Sequence, residues 1–193
     1  KGAADVLHPG NYFNICDKDR DADEAFQDCH DGIGVDDLFA GIAFATPDGA
    51  GSSGEYQDYD IPGEALTDEK FRKMITEAEK YLGYPYVWGG SSPSTSFDCS
   101  GFVSWVINHC GNGWNVGRQT ANGLMGKCDI IPKSEAKPGD LIFFQKTYNT
   151  SGASHVGIYV GNGMMIHCGN PISYASIETN YWRQHYYCMG RIR

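Results

Sequence analysis

The stretch Phe97-Asp98-Cys99-Ser100-Gly101-Phe102 places a cysteine directly before an apolar run with helical spacing. Phe102, Trp105 and Val106 form that run, and Gly111 can end the helix. The first turn of a helix presents unpaired backbone N–H groups and the positive end of the helix dipole, which favour an anion. A thiolate is an anion, so this position predicts a lowered pKa for Cys99 and a role as a nucleophile.

Two histidines stand at mirrored positions of a predicted β-hairpin. His155 opens one strand and His167 closes the next, with Gly161-Asn162-Gly163 as the turn. Such positions lie near each other at the open end of an antiparallel hairpin. One imidazole can take the proton of a thiol while the other fixes its tautomer and ring angle. Either histidine alone is more often structural, but the pair together with Cys99 favours catalysis.

The elements that must position these residues are predicted as helices first and an antiparallel sheet after them. A helix is indicated after Thr67, which can cap it, with Asp68 and Glu69 in the first turn and Gly83 at its end. Strands are predicted at 141–144, 155–160, 164–167 and 186–192. The predicted fold class is α+β, with the nucleophile at the N-terminus of a helix packed on an antiparallel β-sheet.

Two further segments each allow a structural and a functional interpretation. Tyr84-Pro85-Tyr86-Val87-Trp88-Gly89-Gly90 ends in paired glycines, which indicate backbone passing close either to a ligand or to a helix end. Arg118 could pair bidentately with a substrate carboxylate, although such an arginine more often makes a structural or surface ion pair. The sequence leaves both alternatives open.

The composition limits the partners and cofactors that we expect. The 193 residues carry a net charge of −9, which argues against a nucleic-acid partner because phosphate binding needs a basic surface. No apolar run is long enough to cross a bilayer, so we expect no membrane insertion. We predict no cofactor and no metal. The acidic run 17–23 resembles a calcium loop, but Ala22 occupies the position that calls for glycine.

The cysteine content favours an oxidising or extracellular setting, because seven cysteines are many for a cytosolic chain of this size. One free thiol with up to three disulfides fits the odd count, and so do seven reduced thiols. Cys16 and Cys29 could close a short loop. No pair has CxxC spacing, which argues against a zinc ribbon.

The composition and the hydrophobic periodicity of the chain change near residue 65. Residues 1–65 are rich in Asp, Gly and Ala without clean periodicity, and they are predicted to form an acidic extension or linker. Residues 66–193 are predicted to form the folded domain. Because the first residue is Lys and not Met, we expect an excised fragment whose targeting sequence lies upstream.

Several ordered motifs follow one another in the second part of the chain. They are Tyr86-Val87-Trp88-Gly89-Gly90, Phe97-Asp98-Cys99-Ser100-Gly101-Phe102, Lys137-Pro138-Gly139-Asp140-Leu141, His155-Val156-Gly157-Ile158-Tyr159 and His167. Together they resemble the NlpC family of papain-like bacterial cell-wall cysteine peptidases over about residues 66–193. This part also looks like the C-terminal peptidase half of two-domain cell-wall hydrolases carried by conjugative elements.

The resemblance implies a role for individual residues. Cys99 would be the nucleophile, His155 the general base and His167 the third, orienting residue. Tyr86 would lie beside the nucleophile, while Asp98 and Ser100 would contact substrate. With Arg118, which was singled out above, these form the predicted substrate-binding set.

The resemblance also implies an activity. The expected enzyme is a peptidoglycan hydrolase that cleaves the γ-D-glutamyl bond to a diamino acid, meso-diaminopimelate or L-lysine, in stem peptides through a thioester. Alternatives are an N-acetylmuramoyl-L-alanine amidase and an acyltransferase of related Cys-His fold, or a non-catalytic wall-binding module without an active thiol. We expect a monomer that acts on peptidoglycan stem peptides outside the cell or at the cell wall.

Overall fold

The structure, a computed structural model, describes residues 56–193 and has the predicted α+β architecture. Its helices are α1 Glu69–Ala78, α2 Cys99–His109, α3 Ala121–Met125 and α4 Asn180–His185. Its strands are β1 Ser91–Ser92, β2 Ser96–Phe97, β3 Cys128–Ile131, β4 Leu141–Gln145, β5 Ala153–Gly161, β6 Met164–Cys168, β7 Ile172–Ser176 and β8 Tyr186–Ile192. The Cys16–Cys29 loop, the acidic run 17–23 and most of the predicted linker lie outside the described residues.

A six-stranded antiparallel sheet carries the domain. Its strand order is β3-β8-β4-β5-β6-β7, while β1 and β2 form a separate two-stranded ribbon just before α2. Helix α2 packs against β5 and β6, and its inward side chains are fully buried. Burying one large aliphatic or aromatic side chain contributes roughly 1.5–3 kcal/mol. Phe102, Val103, Val106 and Ile107 of α2, each at most 1% exposed, therefore hold this helix firmly on the sheet.

Helix α1 begins one residue later than its predicted cap. The Asp68 carboxylate accepts hydrogen bonds from the backbone N–H groups of Lys70 (2.9 Å) and Phe71 (3.1 Å), which makes Asp68 the N-cap. The prediction that Thr67 caps this helix is wrong. Thr67 ends a preceding 3₁₀ turn, and its hydroxyl donates to the carbonyl of Glu64 at 2.7 Å.

The four predicted strands are confirmed as β4, β5, β6 and β8, with ends that move by up to two residues. Helices α3 and α4 and strands β3 and β7 were not predicted. Each is six residues or shorter, so periodicity is a weak signal for it. Local caps and burial define them instead. In α3 the Thr120 hydroxyl accepts from the N–H of Gly123, and Leu124 is fully buried.

The predicted hairpin joins β5 and β6. Its two loop residues, Asn162 and Gly163, both have positive φ values of 52° and 71°, as in a type I′ turn. In this register Gly157 pairs with His167. His155, two residues before Gly157, therefore lies on the same face of the sheet as His167 and diagonal to it.

The paired glycines Gly89-Gly90 meet the start of α2, which supports the second of the two interpretations above. The N–H of Asp98 donates to the carbonyl of Gly90 at 3.0 Å. A Cβ atom on Gly101 would lie only 2.0 Å from that same carbonyl oxygen, and one on Gly90 would lie 2.6 Å from the carbonyl oxygen of Ser96. Two backbone segments therefore touch at the helix start with no room for a side chain.

The described segment before α1 contacts the sheet. The N–H of Tyr174 donates to the carbonyl of Gln57 at 3.0 Å, and the rings of Tyr59 and Tyr174 lie 5.7 Å apart. The boundary at residue 65 stays a prediction. Within residues 56–193 no helix is long and apolar enough to cross a membrane.

Replacing Gly101 by alanine tests how strongly this close approach constrains the fold. The new methyl group would meet backbone and not a flexible side chain, so we expect Gly101→Ala to lower the free energy of unfolding by about 3 kcal/mol. Gly63→Ala is the matched control, because a Cβ there meets nothing within 4 Å. Urea denaturation of both variants measures the difference, and equal stability would contradict the prediction.

Candidate active site

Cys99 is the first residue of α2 and lies against strand β5. Only 6% of the residue is exposed. Its Sγ lies 4.0 Å from the carbonyl oxygen of Ser154, and the backbone N–H groups of Ser100 and Val156 face the sulfur. Because Ser154 and Val156 flank His155 in the chain, the thiol sits at the part of β5 that carries the predicted base.

The prediction that the pKa of the Cys99 thiol is lowered is wrong, because the pKa is raised. Burial is the largest influence, with the charge of Asp98 next, and together they raise the pKa of the Cys99 thiol to about 12. The N–H groups of Val156 and Ser100 and the Arg118 guanidinium act in the opposite direction without outweighing burial. Cys99 alone is therefore a neutral thiol at pH 7, and a thiolate must arise by proton transfer to a neighbouring base.

The structure confirms that the two histidines of the hairpin lie close together. Nε2 of His155 and Nδ1 of His167 are 2.9 Å apart, and both residues are at most 2% exposed. Burial lowers the pKa of His167 to about 3, so this ring is neutral at pH 7. In the tautomer in which His155 donates to His167, the lone pair of His155 lies on Nδ1, a buried atom.

Glycines and aromatic rings enclose this histidine pair. A Cβ atom on Gly169 would lie 2.9 Å from Cε1 of His167, and one on Gly157 would lie 3.2 Å from its Cβ. Trp182 of α4 is fully buried against both imidazoles, with ring centroids 5.1 Å from His155 and 5.2 Å from His167. The two rings are therefore held by tight packing in addition to their hydrogen bond.

Asp98 joins three segments around the start of α2. One carboxylate oxygen accepts from the N–H of Gly101 (2.6 Å) and the hydroxyl of Ser100 (2.9 Å). The other accepts from the N–H of Gly89 (3.1 Å) and from the Arg118 guanidinium (2.5 Å). Asp98 is thus the N-cap of the helix that carries Cys99.

Arg118 makes the structural ion pair that the sequence left open. Besides binding Asp98, its guanidinium donates to the Ser100 hydroxyl at 3.0 Å and to the carbonyl of Gln119. Its side chain is still 37% exposed, so part of the guanidinium faces solvent. The structure brings Asp98, Ser100 and Arg118 together beside Cys99, whereas their contacts with substrate stay predicted.

Tyr86 also lies at this site, as predicted. Burial raises the pKa of its hydroxyl, and the nearby charges of Cys99 and Asp98 add to that rise. Its backbone N–H donates to the side-chain oxygen of Asn170 at 3.2 Å. That bond connects the loop before α2 to the turn that follows His167 and β6.

The sequence did not indicate a role at this site for three aromatic residues, Trp88, Tyr148 and Trp182. Trp88, 41% exposed, meets the ring of Tyr148 edge to face at 5.3 Å. Burial raises the pKa of Tyr148, and the electrostatic influence of Cys99 and Asp98 adds to that rise. Trp88 belongs to the motif 86–90, but Tyr148 and Trp182 lie in segments without a recognisable motif, so their positions in the sequence did not indicate a place at this site.

The remaining thiols and metal-binding side chains form no second centre among the residues that the structure describes. Cys99, Cys110, Cys128, Cys168 and Cys188 are all free thiols. Within 56–193, no group of three His, Cys, Asp or Glu side chains is arranged to hold a metal ion.

A cysteine at the start of a helix that packs on an antiparallel sheet carrying a histidine is typical of the papain-like class of folds, and the predicted fold is confirmed. The sequence pattern of the NlpC/P60 family matches residues 83–191, more than half of the chain. The chain belongs to this family.

Several relatives have known names or structures. The chain is 43% identical over 124 residues to the bifunctional muramidase/DL-endopeptidase CwlT of Bacillus subtilis, covering 64% of this chain and 37% of that protein. It is 42% identical over 134 residues to the murein DD-endopeptidase MepH of Escherichia coli, covering 67% and 48%. A lipoprotein-like NLP/P60 structure from Staphylococcus aureus superposes with a TM-score of 0.61 at 37% identity, covering 72% and 44%. The chain thus spans less than half the length of these relatives.

The buried neutral state of His167 predicts a pH-dependent stability. Its pKa falls from 6.5 to about 3 on folding, so below pH 6.5 the unfolded chain binds a proton that the folded chain excludes. The contribution is complete above pH 6.5 and is lost toward pH 3, by up to about 1.4 kcal/mol per pH unit. Denaturant unfolding from pH 7 to 4 should show a steeper loss in the wild-type protein than in His167→Asn. Equal slopes would contradict the assignment.

Proposed function

We propose that this domain is a cysteine peptidase that cleaves the γ-D-glutamyl bond to a diamino acid in peptidoglycan stem peptides. The observation that carries the proposal is the placement of the Cys99 thiol against β5 next to His155, itself hydrogen-bonded to His167. Relatives named DL-endopeptidase and gamma-DL-glutamyl hydrolase support this choice of bond.

In the proposed first step, Nδ1 of His155 takes the proton of Cys99 as the sulfur attacks the scissile carbonyl carbon. A C–S bond forms, and the carbonyl π electrons move to oxygen. When the tetrahedral intermediate collapses, the C–N bond breaks and the His155 proton passes to the leaving amine. The product is a thioester on Cys99, and the amine of the diamino acid departs.

Water completes the cycle in the second step. His155 takes a proton from water, the hydroxide adds to the thioester carbonyl, and the C–S bond breaks. The acid product leaves and Cys99 recovers its proton. In both steps the developing oxyanion would be held by backbone N–H groups at the start of α2, including that of Cys99.

The neutral thiol is compatible with this sequence of steps. Because burial keeps the pKa of Cys99 high, the thiolate is formed together with the imidazolium of His155 and not before it. His167 then serves as the orienting group, since its hydrogen bond to Nε2 fixes the ring of His155. The N–H groups of Ser100 and Val156 lower the cost of charge on the sulfur.

The substrate-binding set lies on the same side of α2 as the thiol. Asp98 and Ser100 flank Cys99 in sequence, and the exposed part of Arg118 can receive a substrate carboxylate. Tyr86 lies close enough to Cys99 and Asp98 to contact a substrate bound between them. A stem peptide, which carries free carboxylates and amide groups, matches these polar partners.

The proposal includes the setting of the enzyme. We propose a monomer, and light scattering on the purified protein measures this. Action outside the cell or at the cell wall follows from a peptidoglycan substrate. Residues 1–65 are proposed to form an acidic extension or linker to this domain, 66–193.

Two substitutions test the catalytic assignment. Cys99→Ala should abolish the release of fragments from purified peptidoglycan, because it removes the nucleophile. His155→Ala should slow release at least about a hundredfold, since a positioned base contributes that much or more. His109→Ala is the matched control, because His109 stacks on Trp105 at 3.7 Å, away from the site. Cleavage by Cys99→Ala, or full activity of His155→Ala, would refute the proposal.

Mass spectrometry of the released fragments identifies the bond. Cleavage as proposed leaves a free D-glutamyl carboxylate and a new amino terminus on the diamino acid. Release of intact stem peptides would show an amidase, opening of cross-links a DD-endopeptidase, and an acylated amine product an acyltransferase. Binding to the wall without any cleavage, and without labelling of Cys99 by iodoacetamide at pH 7, would show a binding module.

A further inference from the structure

Trp182 is a buried side chain that the mechanism above does not use. It lies on the short helix α4 between β7 and β8, and its backbone N–H donates to the Thr179 hydroxyl that caps this helix. The residue is 0% exposed. Its ring packs on Phe144 with centroids 4.4 Å apart and contacts both imidazoles of the histidine pair.

The two imidazoles meet Trp182 differently. The His155 ring is inclined by only 32° to the indole at a centroid distance of 5.1 Å, so the two rings are closer to parallel than to perpendicular. The His167 ring stands at 84°, edge to face, at 5.2 Å. The negative face of an aromatic ring attracts a cation that lies over it. His155 meets the indole in the more nearly parallel arrangement, at about the same distance as His167.

His155 is also the ring that becomes charged in the proposed reaction. An imidazolium in a site that is 0% exposed carries a large desolvation cost unless its surroundings compensate for it. The third residue of the site is a histidine and not a carboxylate, so it accepts a hydrogen bond but brings no negative charge. Burial keeps the pKa of His167 far below 7, so it stays neutral while His155 is protonated.

We propose that Trp182 is a positioning residue that holds His155 and stabilises its protonated form through the face of the indole ring. This inference rests on the proposed function, because it needs His155 to accept the Cys99 proton. It adds the indole ring to the Cys99 thiolate and the His167 ring as groups that stabilise the charge on His155. The part of the fold that supplies it is α4, an element remote in sequence from the nucleophile.

The titratable groups near His155 can be separated in an experiment. Nδ1 of His167 on β6 contacts Nε2 of its ring, the Cys99 thiol of α2 lies against the neighbouring backbone of β5, and the ion pair of Asp98 and Arg118 adjoins Cys99. On the far side of Trp182, Tyr181 packs edge to face at 4.9 Å and in turn contacts His185. Replacing Trp182 leaves each of these groups in the chain, so a change in the titration of Cys99 reports on the indole.

The test measures the rate at which iodoacetamide alkylates Cys99 as a function of pH, without substrate. Mass spectrometry of the Cys99 peptide separates this thiol from the other cysteines. In the wild-type protein the acidic limb of the profile, where the rate rises from low pH, reports loss of the first proton from Cys99 and His155. The rate on the plateau above it reports how much thiolate–imidazolium pair is present. Trp182→Leu should slow alkylation at neutral pH about five- to thirtyfold, because less of the thiolate–imidazolium pair forms, and it should move the acidic limb about 0.7 to 1.5 pH units downward, because an imidazolium without the indole face loses its proton at lower pH. Trp182→Phe, which keeps an aromatic face, should show a smaller shift.

Matched controls separate this role from simple packing. Trp105→Leu removes another tryptophan that stacks on a histidine, His109, away from the site, and it should leave the acidic limb unmoved. The KM for stem-peptide substrates should stay constant in Trp182→Leu while kcat falls, because the buried indole does not touch substrate. If Trp182→Leu fails to fold, Trp182 can be replaced by tryptophans with one or more ring fluorines. These keep the shape of the side chain, while each fluorine makes the face of the indole less negative. The limb should then move with each added fluorine.

The outcomes also separate this inference from the proposed function. Loss of activity in Trp182→Leu, or in the fluorinated series, with an unmoved acidic limb would overturn the role of Trp182 alone. Wild-type Cys99 that labels no faster than Cys99 in His155→Ala would refute the proposed function, and the inference would fall with it. A limb that moves in the order Phe then Leu, with unchanged KM, supports both.

Discussion

The carboxylate of Asp98 is the interaction on which the rest of the site depends. Its two oxygens accept from the N–H of Gly101 in α2, the N–H of Gly89 in the preceding loop, and Arg118 from the segment after the helix. A single buried side chain thus caps the helix that carries Cys99 and holds the loop at Gly89 and the segment at Arg118 against the start of that helix. Leaving a buried donor unsatisfied costs about 1–3 kcal/mol, so moving these segments apart would destabilise the fold.

Burial decides the electrostatics of the site more than the helix start does. A helix N-terminus offers an anion less than about 1 kcal/mol in ordinary geometry, whereas removing a thiolate from water costs more. The pKa of Cys99 accordingly rises and that of His167 falls, so both are uncharged before reaction. In the proposed mechanism, charge appears only when a proton passes from Cys99 to His155, and the surroundings of these two side chains determine how readily it does so.

The sequence predicted the elements with strong patterns and the residues that stand in motifs. The helix at Cys99 and the hairpin that joins His155 to His167 were accessible, because periodicity and turn glycines define them locally. The cluster around Asp98 was not, because it joins Gly89, Gly101 and Arg118 through tertiary contacts. The position of Trp182 was not, since α4 is six residues long and reaches the histidines only through tertiary packing. The pKa of Cys99 was mispredicted for a related reason, because burial is a property of the whole fold.

Glycines at the points of contact explain how such distant segments form one rigid site. Gly90 and Gly101 let the loop touch the start of α2, while Gly157 and Gly169 leave space for His167. At these points backbone or ring atoms occupy the volume of a side chain, so few alternative packings exist. Close contacts of this kind therefore fix where the start of α2 and the His167 ring lie. Side chains held in this way need little reorganisation when a ligand binds.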